Sequence, residues 1–513
     1  MHSAQDGSAM KEEHKYLLII AVVFALVIGG ILSVPYDPQA DIVDAVSIDT
    51  WAHLYIDGIY KMPLYEFLEK YPRALQSGVI EEDGEYYVVT EKGIGYVLFY
   101  ALMIALGIQR FTGTILALIA VVSTYILSRR LFGVRCAALS TILLLTTGIA
   151  MIMTYRYAWV DYGTMAFLVL SICLFIEGVA RKSSVLCLLS GSVFSVAVST
   201  RYPVGLLVVL PFVYLLVKEA PRMKLIVAFC IGLLILLTPL LWYNTITYGG
   251  PFKSGYDVRR LGDFVRGEHE IELGEGEGAS KYWSIEGAVD NLTDVPQMFL
   301  IAMPVFYLAF FGLYRSYKDN KAGFYLLFSW ITLTMILYFP MGHLGGVGLQ
   351  ALQQVRYFLP MLPALCIFGA NALSGLFSKG KYGGILVAAL LIILAGVGVS
   401  ATIWNMHTWD ATGRFKEIDV DLKSLYENPS AFNNGIVTLR HLIVIKYVRG
   451  GLIVKDSTTF EDMLLCFPRP PPQSVKELDR ITGKFIWKDR NQNGSMERGE
   501  GVIMVKEIRW VLP

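Results

Sequence analysis

The chain has 513 residues, 55% of them hydrophobic and 17% charged, with a formal net charge of +1 and a mean hydropathy of +0.52. Apolar runs near 20 residues recur along it, which excludes a soluble globular protein and marks a polytopic helical membrane protein. A near-neutral charge gives no basic field for nucleic acid, and six cysteines placed mostly inside apolar runs draw no extracellular disulfide framework.

The first apolar run, Leu17 to Val34, follows Lys11, His14 and Lys15 and lacks a small-residue cleavage site, so it is read as a retained span. Further spans are expected at 112–128, 136–154, 161–178, 184–200, 203–217, 224–243, 295–314, 323–340, 357–377 and 382–404. The basic connectors Arg129/Arg130/Arg135, Arg181/Lys182, Lys218/Arg222/Lys224, Arg315/Lys318/Lys321 and Lys379/Lys381 alternate with the other loops, and the positive-inside rule places them in the cytoplasm. Parity then makes 92–108 a helix that lies along or dips into the outer surface. This leaves 11 crossings, or thirteen with one more pair of parity-neutral passages, a cytoplasmic N-terminus and an extracytoplasmic tail. The expected domains are 1–404, with large external loops 35–91 and 244–294, and a small α/β domain over 405–513. The localisation that follows is the plasma membrane, or the endoplasmic reticulum in a eukaryote.

In the first loop, helix-like patches are expected at 49–60 and 63–76, and a hairpin over Glu81–Val89 turning at Asp83-Gly84. Asp49 stands close to the outer interface, where a carboxylate can deprotonate a hydroxyl or simply cap a helix; Asp41, Asp44 and Asp57 compete with it. Glu91-Lys92-Gly93-Ile94-Gly95-Tyr96 opens the surface helix. Its lysine and helix N-terminus suit a lipid phosphate, or plain snorkelling, and Glu91 is a candidate metal ligand with His343 or His269. Arg156-Tyr157-Ala158-Trp159-Val160-Asp161-Tyr162-Gly163 is a short external link whose Asp161 is a second candidate acid or a helix cap. Arg156, Arg201 and Arg356, on the same face, can each offer two parallel donors to phosphate oxygens.

Taken together, Asp49-x5-Tyr55, the Glu91-Lys-Gly-x-Gly-Tyr96 helix start, Arg110 before an apolar run, Ser128-Arg-Arg-Leu-Phe-Gly133, Asp161 opening a span, Asn244-x3-Tyr248-Gly-Gly-Pro-x3-Gly-Tyr256 and Arg356-Tyr-x-Leu-Pro-x-Leu-Pro363 form an ordered pattern. Over about residues 15–405 it resembles the GT-C membrane glycosyltransferases, in the branch of the protein O-mannosyltransferases and aminoarabinose transferases. It departs from them at Lys92-Gly93, where members usually carry proline. The resemblance implies an all-α polytopic fold and inverting transfer of a sugar from a polyprenyl-phosphate donor to a hydroxyl of a protein, lipid or glycan acceptor. It further implies Asp49 as general base, Asp161 as an orienting acid, and Lys92, Arg201, Arg356 and Tyr357 around the donor phosphate. No cofactor is required by that chemistry, although a divalent metal at the site is compatible with it. Trp159-Val-Asp-Tyr-Gly163 also looks like the Trp-Trp-Asp-Tyr-Gly motif of oligosaccharyltransferases, but here it joins two spans instead of lying in a soluble domain. The rival class is a transporter or lipid-linked-sugar flippase, disfavoured by the scarcity of mid-membrane charges and the absence of an internal repeat.

In the tail, strands are expected at 434–447, 484–487 and 501–511. Asp489, Asn491, Asn493 and Glu500 have the spacing of a calcium loop, with a solvated hairpin tip as the plainer reading. Asn291-Leu-Thr293 and Asn493-Gly-Ser495 are candidate glycosylation acceptors.

Overall fold

The computed structural model describes residues 2–36, 38, 43–71, 74, 76–218, 223–261, 284–341, 354–413 and, in the tail, 418–419, 436–448, 451–456, 462–466, 477–487 and 501–510. The chain divides into two compact units, one of 1–38, 92–253 and 275–407, the other of 39–91, 254–274 and 408–513.

The first unit is a helical body. Its helices are α1 (His2–Leu32), α4 (Ile94–Ala105), α5 (Thr112–Phe132), α6 (Val134–Thr146), α7 (Gly148–Tyr155), α8 (Val160–Arg181), α9 (Ser184–Thr200), α10 (Leu210–Val217), α11 (Met223–Tyr248), α12 (Ile285–Ala302), α13 (Val305–Asp319), α14 (Lys321–Tyr338), α15 (Leu362–Phe377) and most of α16 (Lys381–Gly413). Short 3-10 turns at Tyr202–Val209 and Arg356–Met361 lead into α10 and α15. Among the described residues seven helices are long and apolar enough to cross a membrane, or nine when each of two bent pairs counts as one span. With the shorter Ser184–Thr200 and Tyr202–Val217, these account for every run read as a crossing.

Burial ranks the helices. The span Arg356–Phe377 is 83% buried and Val160–Arg181 72%, whereas the α1 and α16 spans are 17% buried and show Leu26 and Ile392 outward, each 72% exposed. In water such apolar faces would drive aggregation, so their solvent is lipid. Among the seven unbroken spans, the two most enclosed are those that begin at Val160, next to Asp161, and at Arg356.

Two runs read as single spans are broken. The α6/α7 pair bends by 59° at Thr147, and the α12/α13 pair by 94° across Met303-Pro304. Pro304 has no amide proton to donate and biases the residue before it away from helix, which ends α12 there. Helix α4 is twelve residues long, about 18 Å and too short to span. It begins where Gly93 meets Thr200 at the end of α9, and it is followed by Arg110, which donates to the Leu32 carbonyl at the end of α1.

In the second unit, α2 (Val43–Ile56) and α3 (Leu64–Lys70) accompany β1 (Met62–Pro63), β2 (Ser77–Glu82), β3 (Glu85–Thr90) and β4 (Arg259–Arg260), in sheet order β1-β3-β2-β4. The β2–β3 hairpin turns where expected: Asp83 and Gly84 take φ of 52° and 79°, the left-handed pair a two-residue type I′ turn requires. Trp51 of α2 stacks on Phe67 at 5.4 Å and donates its indole N–H to Ser77 Oγ at 2.9 Å, which fastens α2 to the strands. The tail contributes β5 (Ile418–Asp419), β6 (Ile436–Val448), β7 (Gly451–Asp456), β8 (Asp462–Cys466), β9 (Glu477–Trp487) and β10 (Gly501–Trp510). The order is β5-β6-β7-β8-β10-β9, and β6 also pairs with β9, so among the described residues five strands close into a barrel and β5 is appended at an edge. The expected tail strands are thus present.

Candidate active site

Asp161 lies in the first turn of α8, and it is Trp159, in extended backbone and without a side-chain cap, that begins the helix. The capping alternative for Asp161 is therefore not what the structure shows. Its carboxylate, 2% exposed, pairs instead with the guanidinium of Arg201, and its second oxygen lies 3.6 Å from Nε of Arg356. Arg201 closes α9 in an extended conformation (φ −151°, ψ 99°), and Arg356 opens the 3-10 turn before α15. Three segments far apart in sequence thus deliver one acid and two bases to a single buried point. Solvent screening is weak there, but each charge also pays for lost hydration, so the pairs specify geometry more than they add stability.

Aromatic rings border these charges. Arg201 lies over Tyr357 at 4.5 Å and Tyr338 at 5.5 Å, and Arg356 over Trp159 at 4.5 Å. The sequence pointed to Tyr357 through the family motif. The sequence marks Trp159 only through its likeness to the Trp-Trp-Asp-Tyr-Gly motif and gives Tyr338 no signal, because aromatic residues at span ends are ordinary in membrane proteins.

Lys92, 7% exposed, precedes α4 in the same unit. The next residue explains the departure from proline. A Cβ on Gly93 would fall 2.3 Å from the Thr200 carbonyl oxygen, and one on Gly95 would fall 1.9 Å from Ser199 Oγ. Two glycines therefore let the start of α4 press against the end of α9, one residue from Arg201. Tyr96 continues the contact: its hydroxyl donates to the Tyr157 carbonyl, and its ring occupies the space that a Cβ on Gly163 would need. Each part of Trp159-Val-Asp-Tyr-Gly163 thus acts locally, with Trp159 stacking, Asp161 pairing and Gly163 making room. The Asn244 motif is a tie of another kind, with Asn244 accepting from Tyr202 Oη at 3.2 Å and donating to the Pro251 carbonyl at 3.2 Å.

Asp49 and Glu91 belong to the second unit. Asp49, 8% exposed, is on α2 with His53 Nδ1 3.8 Å from its carboxylate; Asp44 is buried on the same helix, Asp57 follows it in the open, and Asp41 is outside the described residues. Glu91 is fully buried and its Oε1 accepts from Nε of Arg260 at 3.1 Å. That carboxylate is paired with a cation, and no group of three or more His, Cys, Asp or Glu gathers among the described residues. His269, His343 and the calcium-loop positions Asp489, Asn491, Asn493 and Glu500 lie outside the described residues, as does the Asn493 glycosylation triplet. Asn291 does not suit glycosylation: it is 2% exposed, and its amide donates to the carbonyls of Phe339 and Met341 at 2.7 and 2.8 Å.

Comparison with known proteins bears on the same segment. Residues 21–251 match the sequence model of the family described as dolichyl-phosphate-mannose-protein mannosyltransferase. An uncharacterised protein of Aquifex aeolicus (strain VF5) is 25% identical over 327 residues, 61% of this chain and 57% of that protein. Among solved structures, ArnT from Cupriavidus metallidurans bound to undecaprenyl phosphate is similar with a TM-score of 0.46 at 11% identity, covering 86% of this chain and 97% of that one. The archaeal oligosaccharyltransferase AglB from Archaeoglobus fulgidus, in complex with an inhibitory peptide and a dolichol-phosphate, gives a TM-score of 0.45 at 11% identity over 78% of this chain and 56% of that one. The chain therefore spans only a little over half the length of the Aquifex protein and of AglB. Over residues 21–251 it matches the dolichyl-phosphate-mannose-protein mannosyltransferase family, in agreement with the resemblance carried by its ordered motifs.

Proposed function

We propose that this protein is an integral membrane glycosyltransferase that moves a sugar from a polyprenyl-phosphate carrier to an acceptor hydroxyl, with inversion at the anomeric carbon. The observation that carries the reading is Asp161, at the start of a well-buried span, held between Arg201 and Arg356. As the bond from the anomeric carbon to the phosphate oxygen breaks, negative charge grows on the phosphate. Guanidinium forks and the Lys92 ammonium meet that charge where water is scarce, which makes the interaction strong when it is needed. The acceptor oxygen forms the new bond from the opposite side of the sugar ring and gives its proton to a carboxylate base, the role that the resemblance implies for Asp49. The products are a glycoside and the polyprenyl phosphate.

Asp161 receives a different role from the orienting acid that the resemblance implies. Both of its oxygens are engaged by arginines, so it sets the directions of Arg201 and Arg356. The family match over 21–251 supports the choice of a lipid-phosphate donor. The test is transfer from radiolabelled polyprenyl-phosphate sugars to membrane acceptors by the purified protein, comparing wild type with Arg201→Ala and Asp49→Asn. Transfer that Arg201→Ala abolishes supports the reading, and wild-type protein that transfers from none of these donors overturns it. Retained transfer by Asp49→Asn would move the base to Asp41, Asp44 or Asp161.

A further inference from the structure

Between α13 and α14 the chain turns at Asn320, and hydrogen bonds fix the turn from two sides. The Asn320 carboxamide caps α14 by accepting from the Gly323 amide at 3.0 Å, and it donates to the Leu131 carbonyl of α5 at 3.1 Å. From α15, Asn371 donates to Ser316 Oγ at 3.0 Å and to the Asp319 carboxylate at 3.2 Å, which Arg315 also meets at 3.2 Å. The acid of the turn is thus engaged by its own neighbours.

Two exposed lysines flank it. Lys318 Nζ lies over the ring of Tyr314 at 4.5 Å and Lys321 Nζ over the ring of Tyr317 at 5.6 Å, each lysine folding back over the tyrosine four residues before it. Arg129, Arg135 and Arg181, in other basic connectors, meet Glu13, Glu12 and Glu177. Among the described residues no acid pairs with Lys318 or Lys321.

Further along α13 the same surface is apolar, with Phe310 57%, Phe311 78% and Tyr314 69% exposed. Positions 311, 314 and 318 recur at helical spacing, so over about 12 Å of helix the surface passes from bare rings through phenol to ammonium. A bilayer boundary has that order, acyl chain and then headgroup, and tyrosine is enriched where the two meet. A ring face beneath each ammonium holds a flexible side chain at headgroup depth, so less freedom is lost when an anion arrives. Phosphatidylcholine brings its own cation to its phosphate, whereas the phosphate charge of phosphatidylglycerol is uncompensated and is attracted to basic residues at the surface.

We propose that the α13–α14 turn is a docking site for an anionic phospholipid of the surrounding bilayer, with its phosphodiester at the Lys318 and Lys321 ammoniums that Tyr314 and Tyr317 hold in place, and its acyl chains along Phe310 and Phe311. The site is separate from the Asp161 cluster and does not depend on the transferase reading.

The test uses the full chain in detergent with two lipids of identical acyl chains, phosphatidylglycerol and phosphatidylcholine, and reads bound lipid by native mass spectrometry. Wild type is expected to prefer phosphatidylglycerol. Lys318→Gln and Lys321→Gln are each expected to lower that preference by about fivefold, the effect of one basic residue at an anionic surface. Tyr314→Leu keeps the charges, removes one ring face and is expected to lower it by about two- to fivefold. The control is Lys379→Gln with Lys381→Gln, two exposed lysines of another basic connector, which should leave the preference near that of wild type. All these side chains are exposed, so the variants are expected to fold. An equal loss in the control would show general charge attraction and overturn the proposal. So would a wild type without a preference, or an unchanged preference in Tyr314→Leu or in the Lys318→Gln, Lys321→Gln double variant. Glycerol phosphate, the headgroup without its acyl chains, competing as well as the lipid would assign the turn to a soluble anion and overturn it too.

Discussion

Arg201, the residue that closes α9, is ion-paired with Asp161 in the first turn of α8. Helices α8 and α9 pack along their length, and the Thr164 and Thr200 hydroxyls meet at 2.9 Å just beneath the pair. The pair is thus seated on a rigid joint.

Replacing Asp161 by asparagine removes the charge and keeps the shape. Arg201 and Arg356, whose side chains are 11% and 13% exposed, then lose this partner, and a loss of about 3 kcal/mol is expected, near the cost of breaking a buried pair. Thermal unfolding of the solubilised protein measures it. Because Arg201→Ala removes the other partner, the double variant should be less unstable than the two single losses added together, with a coupling of about 1–3 kcal/mol. Simple additivity would show that the two groups do not act on each other.

Arg201→Lys keeps the charge but loses the planar fork and the stack on Tyr357. Transfer is expected to fall by about tenfold or more while the folded protein is recovered in wild-type amount, since one charge-assisted hydrogen bond to the phosphate is worth about 1.5–3 kcal/mol. A lysine variant with wild-type turnover would mean that only charge matters at this position.

Gly93→Ala and Gly84→Ala test two different uses of glycine. At Gly93 the added methyl would meet the Thr200 carbonyl at 2.3 Å, so α4 must move, and a loss of about 1–3 kcal/mol with reduced transfer is expected. At Gly84 there is open space, but φ is +79°, so only backbone strain is felt, about 1 kcal/mol, and transfer should be unaffected. Unfolding midpoints and transfer rates of the two variants separate these effects.

Asn291→Ala removes an amide that satisfies two carbonyls after α14, and leaving such groups unpaired costs about 1–3 kcal/mol. No glycan is expected at this position in a glycosylating host, which mass spectrometry of the corresponding peptide would check.

Much of the architecture is legible in the amino-acid sequence, for reasons that differ by residue. The crossings follow from run length, and the common face of Asp161, Arg201 and Arg356 follows from the alternation of basic connectors, because both signals are local. The hairpin at Asp83-Gly84 is equally plain. Other features depend on partners distant in sequence: Glu91 meets Arg260 across 169 positions, and Asn291 is claimed by carbonyls 48 and 50 positions away. No pattern around either residue announces that. The proline alone hints at the break at Met303-Pro304, but its 94° angle depends on the packing of α13 against α15. Tyr338 stays hidden because its residue type is common at every span end.

The most direct test of the account is a single-turnover measurement of sugar release from a radiolabelled polyprenyl-phosphate sugar, with wild type and Arg356→Ala compared at saturating donor. The arginine pair around Asp161 should act on the departing phosphate, so Arg356→Ala is expected to slow the chemical step by about a hundredfold, as the loss of one preorganised donor does, while donor binding changes far less. An unchanged single-turnover rate in the folded variant would contradict the placing of the phosphate at this cluster.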